Sequence, residues 1–256
     1  MALFKLGLKP PRRDSIAMLF STYFKPIELP AVPHVFGRPW LVRNWQLYGN
    51  DQYGDCYWAG AAHESMMLCA DAAVNVPMFT TRSVLDDYAQ ATGFDAKHAE
   101  DTDLGTDMQV GCAYRQRTGI HDQLGHRHKI DIYTALKPGD LTQLALAVYL
   151  FGIAGVGVQL PDTAETQFSY AEVWTVKNGA SIVGGHYIPC VGRNRVGNYL
   201  FLTWGRLQAA TPEWVMEYMD QGAAFVSRER LKVSGLSPQG YNLAQLNDDY
   251  HQLTGA

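Results

Sequence analysis

From Cys56 to Cys69 the small and apolar positions Trp58, Ala61, Ala62, Ser65, Met66 and Cys69 recur at the i, i+3, i+4 spacing of one helix face. The spacing predicts a buried helix that begins at or beside a cysteine. Further helices are expected over Arg82–Thr92, Thr106–Thr118 and Leu141–Leu150, the last bounded by Pro138-Gly139 and Gly152. The period then changes. Ile153–Leu160, Ser181–Val191, Asn198–Trp204 and Ala223–Ser227 are short β-branched or aromatic runs between Gly, Asn and Pro, which reads as an antiparallel sheet. Helices first and strands later predict an α+β protein with a cleft where the two parts meet.

The first 45 residues follow neither period. Pro10, Pro11, Pro26, Pro30, Pro33 and Pro39 are half of the 12 prolines in the chain, and each fixes φ and disfavours helix at the residue before it. Residues 1–45 therefore read as an extended arm. It either straps its own domain, reaches a neighbouring subunit, or lies over the domain as a propeptide-like cover. Residues 46–235 form the domain, and 236–256 a tail packed on it or leaving it. The acidic stretch Asp95–Asp107 lacks the spacing of a calcium loop and is expected to be a solvated loop.

Composition narrows the classes. With 256 residues, 47% hydrophobic and 18% charged, the chain is a folded protein, neither disordered nor a coiled coil. A net charge of −4 gives no electrostatic reason to expect nucleic acid or an anionic membrane as partner. The charge is unevenly spread: residues 1–55 carry seven basic and four acidic groups, and the remainder 14 and 21. Cys56, Cys69, Cys112 and Cys190 include no CxxC pair, so neither a disulfide framework nor a zinc site is expected. The apolar run Ile16–Phe20 is interrupted by Ser21 and Thr22 and makes a poor signal peptide, and no stretch reaches a membrane span. Synthesis in the cytoplasm is expected.

Chemistry concentrates in two segments. Gly49-Asn50-Asp51-Gln52-Tyr53-Gly54-Asp55-Cys56 places a thiol after a glycine turn at a helix start. There, free N–H groups and a partial positive charge favour a thiolate and can hold an oxyanion. A cysteine nucleophile needs a base, and Gly184-Gly185-His186 opens an apolar strand 130 residues downstream.

The run Gly54-Asp55-Cys56-Tyr57-Trp58-Ala59 resembles the nucleophile segment of papain-like cysteine peptidases, and Gly185-His186 through Val191-Gly192 resembles their histidine segment. Asn198 to Gly205 is similar to their strand ending in Asn-Ser-Trp-Gly, and Gly105 to Ile120 to the helix before the crossover into the second half. The Gly-Asn-Asp-x-x-Gly-Asp-Cys pattern also resembles a papain-like group of bacterial and bacteriophage genomes. The resemblance implies a helical part carrying Cys56 as nucleophile and a sheet part carrying His186 as base. It also implies an oxyanion site from Asn50 and the Cys56 N–H, and Thr203 as the partner of His186. Gly54, Trp58, Gly185 and Trp204 would border the substrate. The reaction implied is hydrolysis of a peptide or isopeptide bond in a peptide or protein substrate, with no metal or organic cofactor.

Three positions depart from that pattern. Asn50 replaces a glutamine, Leu202 stands where an orienting asparagine is expected, and Asp55 can cap the helix while opposing a thiolate. Cys69 and Cys190 read as core, and Cys112 lies on a predicted helix. His121, His126 and His128 form a cluster with no carboxylate read at matching spacing. No phosphate-binding glycine loop is present, and the spacing is too long for an NlpC/P60-type hydrolase. The rival expectation is a catalytically weakened scaffold, such as a bacteriophage virion component docked through the arm. A cleft filled by the arm, or a sulfur remote from the imidazole, is expected on that reading.

Overall fold

In the computed structural model, residues 4–12, 19–20 and 31–227 are described. The expected tail, 236–256, lies outside them. Helix α1 (Cys56–Asp71) is buried on almost every side, His63, Glu64 and Asp71 included, so the single apolar face expected from spacing is too narrow. It is walled in by the sheet, by α2 (Thr81–Thr92) and by α4 (Met108–Arg117). Between those two helices the acidic stretch folds a short turn, α3 (Ala99–Thr102). That stretch is not wholly solvated: the Asp103 side chain is buried. Helix α4 starts two residues later than expected because Asp107 is its N-cap, with Oδ1 accepting from Gln109 N and Val110 N at 3.0 Å.

After α4 come β1 (Ile120–His121), β2 (Arg127–His128) and β3 (Ile130–Ala135), then α5 (Leu141–Phe151). Asp140 caps α5, and Gly152, at φ 83°, ends it in the left-handed conformation that glycine adopts freely. The rest is β4 (Ala154–Pro161), α6 (Asp162–Ser169), β5 (Ile182–Arg193), β6 (Tyr199–Thr203), β7 (Arg206–Ala210), α7 (Pro212–Tyr218) and β8 (Met219–Ser227). The six-stranded sheet runs β3-β8-β4-β5-β6-β7, every neighbouring pair antiparallel. No helix among the described residues is long and apolar enough to cross a membrane.

Alternation along the strands divides the apolar residues into two cores. Ile153, Tyr187, Val191, Leu202 and Phe225 pack with α1, whereas Ala154, Val156, Val158, Ile188, Cys190 and Phe201 pack with α5 and its neighbours. One polar linkage crosses the first core. The Tyr187 hydroxyl donates to Glu64 Oε1 at 2.6 Å, and Glu64 pairs with Arg115, all fully buried. Gly60 and Gly155 make room for the Tyr187 ring and hydroxyl. This fixes α1 against β5.

Removing one partner of a buried ion pair leaves an uncompensated charge. Glu64→Ala is expected to lower stability by about 3–5 kcal/mol, read as a fall in the urea midpoint at unchanged slope. Glu64→Leu with Arg115→Met is expected to restore most of the loss.

Candidate active site

Cys56 is the first residue of α1, and the turn before it is held from outside. Gly54 N donates to both oxygens of Asp103 at 3.0 Å, and Tyr88 OH donates to Asp103 Oδ1 at 2.7 Å. The expected Asp55 cap does not form: Asp55 adopts φ −92° and ψ 18°, outside the extended conformation that aims a cap oxygen at the helix amides. Its carboxyl is fully buried and lacks a hydrogen bond of ordinary geometry. Burial pushes it well above the usual carboxylate range, offset only in part by its own backbone amide and the Asn50 amide beside it. The Asp55 charge adds to the rise of the Cys56 thiol, so the carboxyl opposes a thiolate as expected. The Asn50 Nδ2 donates to Tyr53 O at 3.4 Å.

His186 lies on β5 opposite Val158 of β4. Its Nε2 is 2.8 Å from Thr203 Oγ1, its ring stacks on Trp204 at 4.8 Å between centroids, and its Nδ1 has no hydrogen-bond partner among the described residues. Leu202, in the expected asparagine position, points into the core beside α1, and Thr203 next to it takes the imidazole contact. Trp204 and Gly205 are the two turn residues of the β6–β7 hairpin, at φ 44° and 73°.

The arm crosses between these two segments. Leu8 N donates to Gly185 O at 3.0 Å, Lys9 N donates to Thr106 O at 2.9 Å, and Thr106 N donates to Gly7 O at 2.6 Å. Phe4 stacks on Trp204 at 4.3 Å, and Leu8 is buried against Gly157 and Gln221. Burying a leucine contributes roughly 1.5–3 kcal/mol. Trp58 reaches the same wall from behind, its Nε1 donating to Thr106 Oγ1 at 2.8 Å, so it holds the segment that the arm pairs with. Lys5 Nζ lies 3.7 Å from Asp103 Oδ2, and Arg12 Nε 2.7 Å from Asp107 Oδ2. Sequence reasoning did not find Asp103 or Asp107 as parts of the cleft; an acidic residue each side of Gly105-Thr106 was the available signal.

The chemical state of the pair follows from this cover. Burial pushes the Cys56 thiol up to about 12, although the backbone amides of Tyr187, Gly7 and Tyr57 favour its ionised form. Burial pushes the His186 imidazole down to about 3. Between those values both groups are neutral, and no hydrogen bond joins them among the described residues. Gly7 turns its carbonyl to Thr106 N and its amide to the thiol, and no carbonyl of residues 4–12 accepts from Asn50 Nδ2 or Cys56 N.

The histidine cluster needs one correction. A carboxylate does sit there, Asp122 Oδ2 lying 3.4 Å from His126 Nδ1 and 3.6 Å from His128 Nε2. His121 instead faces Asp87 at 2.9 Å. Among the described residues no group of three or more His, Cys, Asp or Glu is arranged to hold a metal ion.

The architecture is papain-like. Xylellain, a cysteine protease from Xylella fastidiosa, superposes with a TM-score of 0.66 at 12% identity over 88% of this chain and 96% of that one. A recombinant stem bromelain precursor gives 0.60 at 13% over 88% and 78%, and a procathepsin B from Trypanosoma congolense 0.58 at 13% over 87% and 86%. No protein-family model matches the sequence, and no curated protein matches it.

Lifting the arm is expected to return water to both groups and bring the thiol down. A Cβ at Gly7 collides with the Gly54 carbonyl, so full-length Gly7→Val is the lever. Iodoacetamide labelling of Cys56, located by mass spectrometry at pH 7, is expected to rise about tenfold over the parent chain, a change of about one pKa unit. In the parent, labelling is expected to climb with pH through 9 without a plateau. Equal labelling of the two chains contradicts the cover.

Proposed function

We propose that the chain is a papain-like thiol hydrolase of peptide or isopeptide bonds, held closed by residues 4–12. The observation that carries this reading is the environment of His186. A fully buried imidazole with one nitrogen bonded and the other without a partner among the described residues costs stability, and the backbone amide that follows it faces the Cys56 thiol. With the arm displaced, Cys56 attacks the amide carbonyl as thiolate. Nδ1 of His186 takes up the thiol proton and later gives it to the leaving amine. Thr203 fixes the ring through Nε2. The Cys56 N–H and the Asn50 amide, released from Tyr53 O, hold the oxyanion. The groups this mechanism needs are all on the chain.

A second reading is favoured by the filled cleft itself: a weakened papain-like scaffold, such as a component of a bacteriophage particle docked through residues 1–45. Against it, residues 4–12 are committed to the chain's own cleft, and Phe36, Arg38 and Val42 of the same arm pack on or bond to the domain as well.

Turnover separates the two. Full-length Gly7→Val is expected to hydrolyse an internally quenched peptide mixture, with activity lost in Cys56→Ser and His186→Ala. An inert Gly7→Val chain whose Cys56 is nonetheless freely labelled sinks the hydrolase reading. In the same background Thr203→Val is expected to lower kcat about tenfold, the worth of one neutral hydrogen bond, with KM little changed.

A further inference from the structure

Removed from its seat, the arm leaves a wall whose charged groups nearest Thr106 are both acidic. Asp103 accepts from Gly54 N and Tyr88 OH and meets the Lys5 ammonium only at the longer distance of 3.7 Å. Asp107 is different. Its Oδ1 alone caps α4, and its Oδ2 accepts from Arg12 Nε at 2.7 Å, the arginine being largely exposed. A cap needs one oxygen, and asparagine or serine supplies it as well as aspartate. The second oxygen and the charge are therefore available for a ligand, and the occupant seen in the cleft uses them. The distribution of charge agrees, the chain beyond residue 55 being acidic and the segment in the cleft carrying Lys5, Lys9 and Arg12.

We propose that Asp107 is a specificity-determining residue of this cleft, and that the polypeptides it takes up in place of the arm carry an arginine or lysine that pairs with Asp107 Oδ2. In the arm the basic residue lies four positions from the aliphatic one that fills the seat at Gly157. The substrate class is a basic polypeptide segment with an aliphatic residue close to its cation. For cleavage, this rests on the hydrolase reading; for binding it does not.

Two measurements on the full-length chain test it. The first is binding to Gly7→Val with Cys56→Ala, using a fluorescent peptide of residues 4–12 and an analogue with norleucine for lysine and citrulline for arginine. The analogue is expected to bind about tenfold more weakly, the gap closing to about twofold or less in Asp107→Asn, which keeps a cap oxygen. The second is mass-spectrometric profiling of a peptide library cut by Gly7→Val, where Lys or Arg is expected to be enriched near the cut and the enrichment lost in Asp107→Asn. Equal binding of both peptides, or enrichment that persists in Asp107→Asn, overturns the proposal. Discrimination in binding without any cleavage upholds Asp107 and overturns the hydrolase reading instead. Leu8→Asp, which places a charge in the apolar seat, serves as the second arm-displacing variant if Gly7→Val does not fold.

Discussion

Four glycines meet where the arm crosses the cleft, and most of what happens there follows from their lack of a Cβ. A side chain at Gly7 collides with the Gly54 carbonyl, one at Gly105 with the Gly7 carbonyl, and one at Gly185 with the Leu8 carbonyl. Backbone can therefore approach backbone closely on both walls, and the arm sinks deep enough to pair with Thr106 and Gly185 at once. That depth removes water from the thiol and the imidazole. The neutral state of both is a consequence of the fit, because a low-dielectric surrounding disfavours whichever form is charged.

The cover and the chemistry share parts, so they cannot be tuned independently. Asp103 anchors the turn before Cys56 through the Gly54 amide and also faces Lys5 of the arm. Trp204 carries the stacked imidazole and the stacked Phe4. Behind them, Tyr187 follows His186 on β5 and reaches Glu64 on the helix that starts with Cys56. Whatever shifts α1 against the sheet shifts the thiol against the imidazole, and the buried Glu64–Arg115 pair opposes such a shift.

The sequence reveals the parts of this design that are local. The start of α1 is legible because a glycine turn leads into a run of small residues. Strands β4, β5, β6 and β8 are legible because β-branched or aromatic runs are separated by glycine and asparagine; β7 and the order in the sheet are not. Helix α6 was not foreseen, being short and polar on much of its surface, nor was α7, which opens on Pro212 within a turn-like stretch. The alternation of β3, Ile130–Ala135, is regular in burial but too brief to stand out beside a polar histidine turn. At the candidate site, motif order singles out Cys56, His186, Thr203 and Trp204, and the last three are in contact in the structure. The Tyr187–Glu64–Arg115 linkage joins positions 51 and 123 residues apart, and nothing in any one segment announces it. The prolines say that the first residues run extended. They do not say where, and the small hint, Gly7 between two leucines, acquires meaning only against Gly54.

Trp204 shows how local cost and function meet. Its position in a two-residue hairpin requires φ > 0, a conformation suited to asparagine or glycine, and a tryptophan held there costs of order 1–3 kcal/mol. The turn alone gives no reason to keep it. The ring, however, shields one side of His186 from solvent and supplies the flat surface on which Phe4 docks. When Phe4 leaves, that surface becomes an apolar patch beside the imidazole. Rewetting it opposes opening. The strained hairpin thus holds one indole where it stacks on the imidazole and on Phe4 alike.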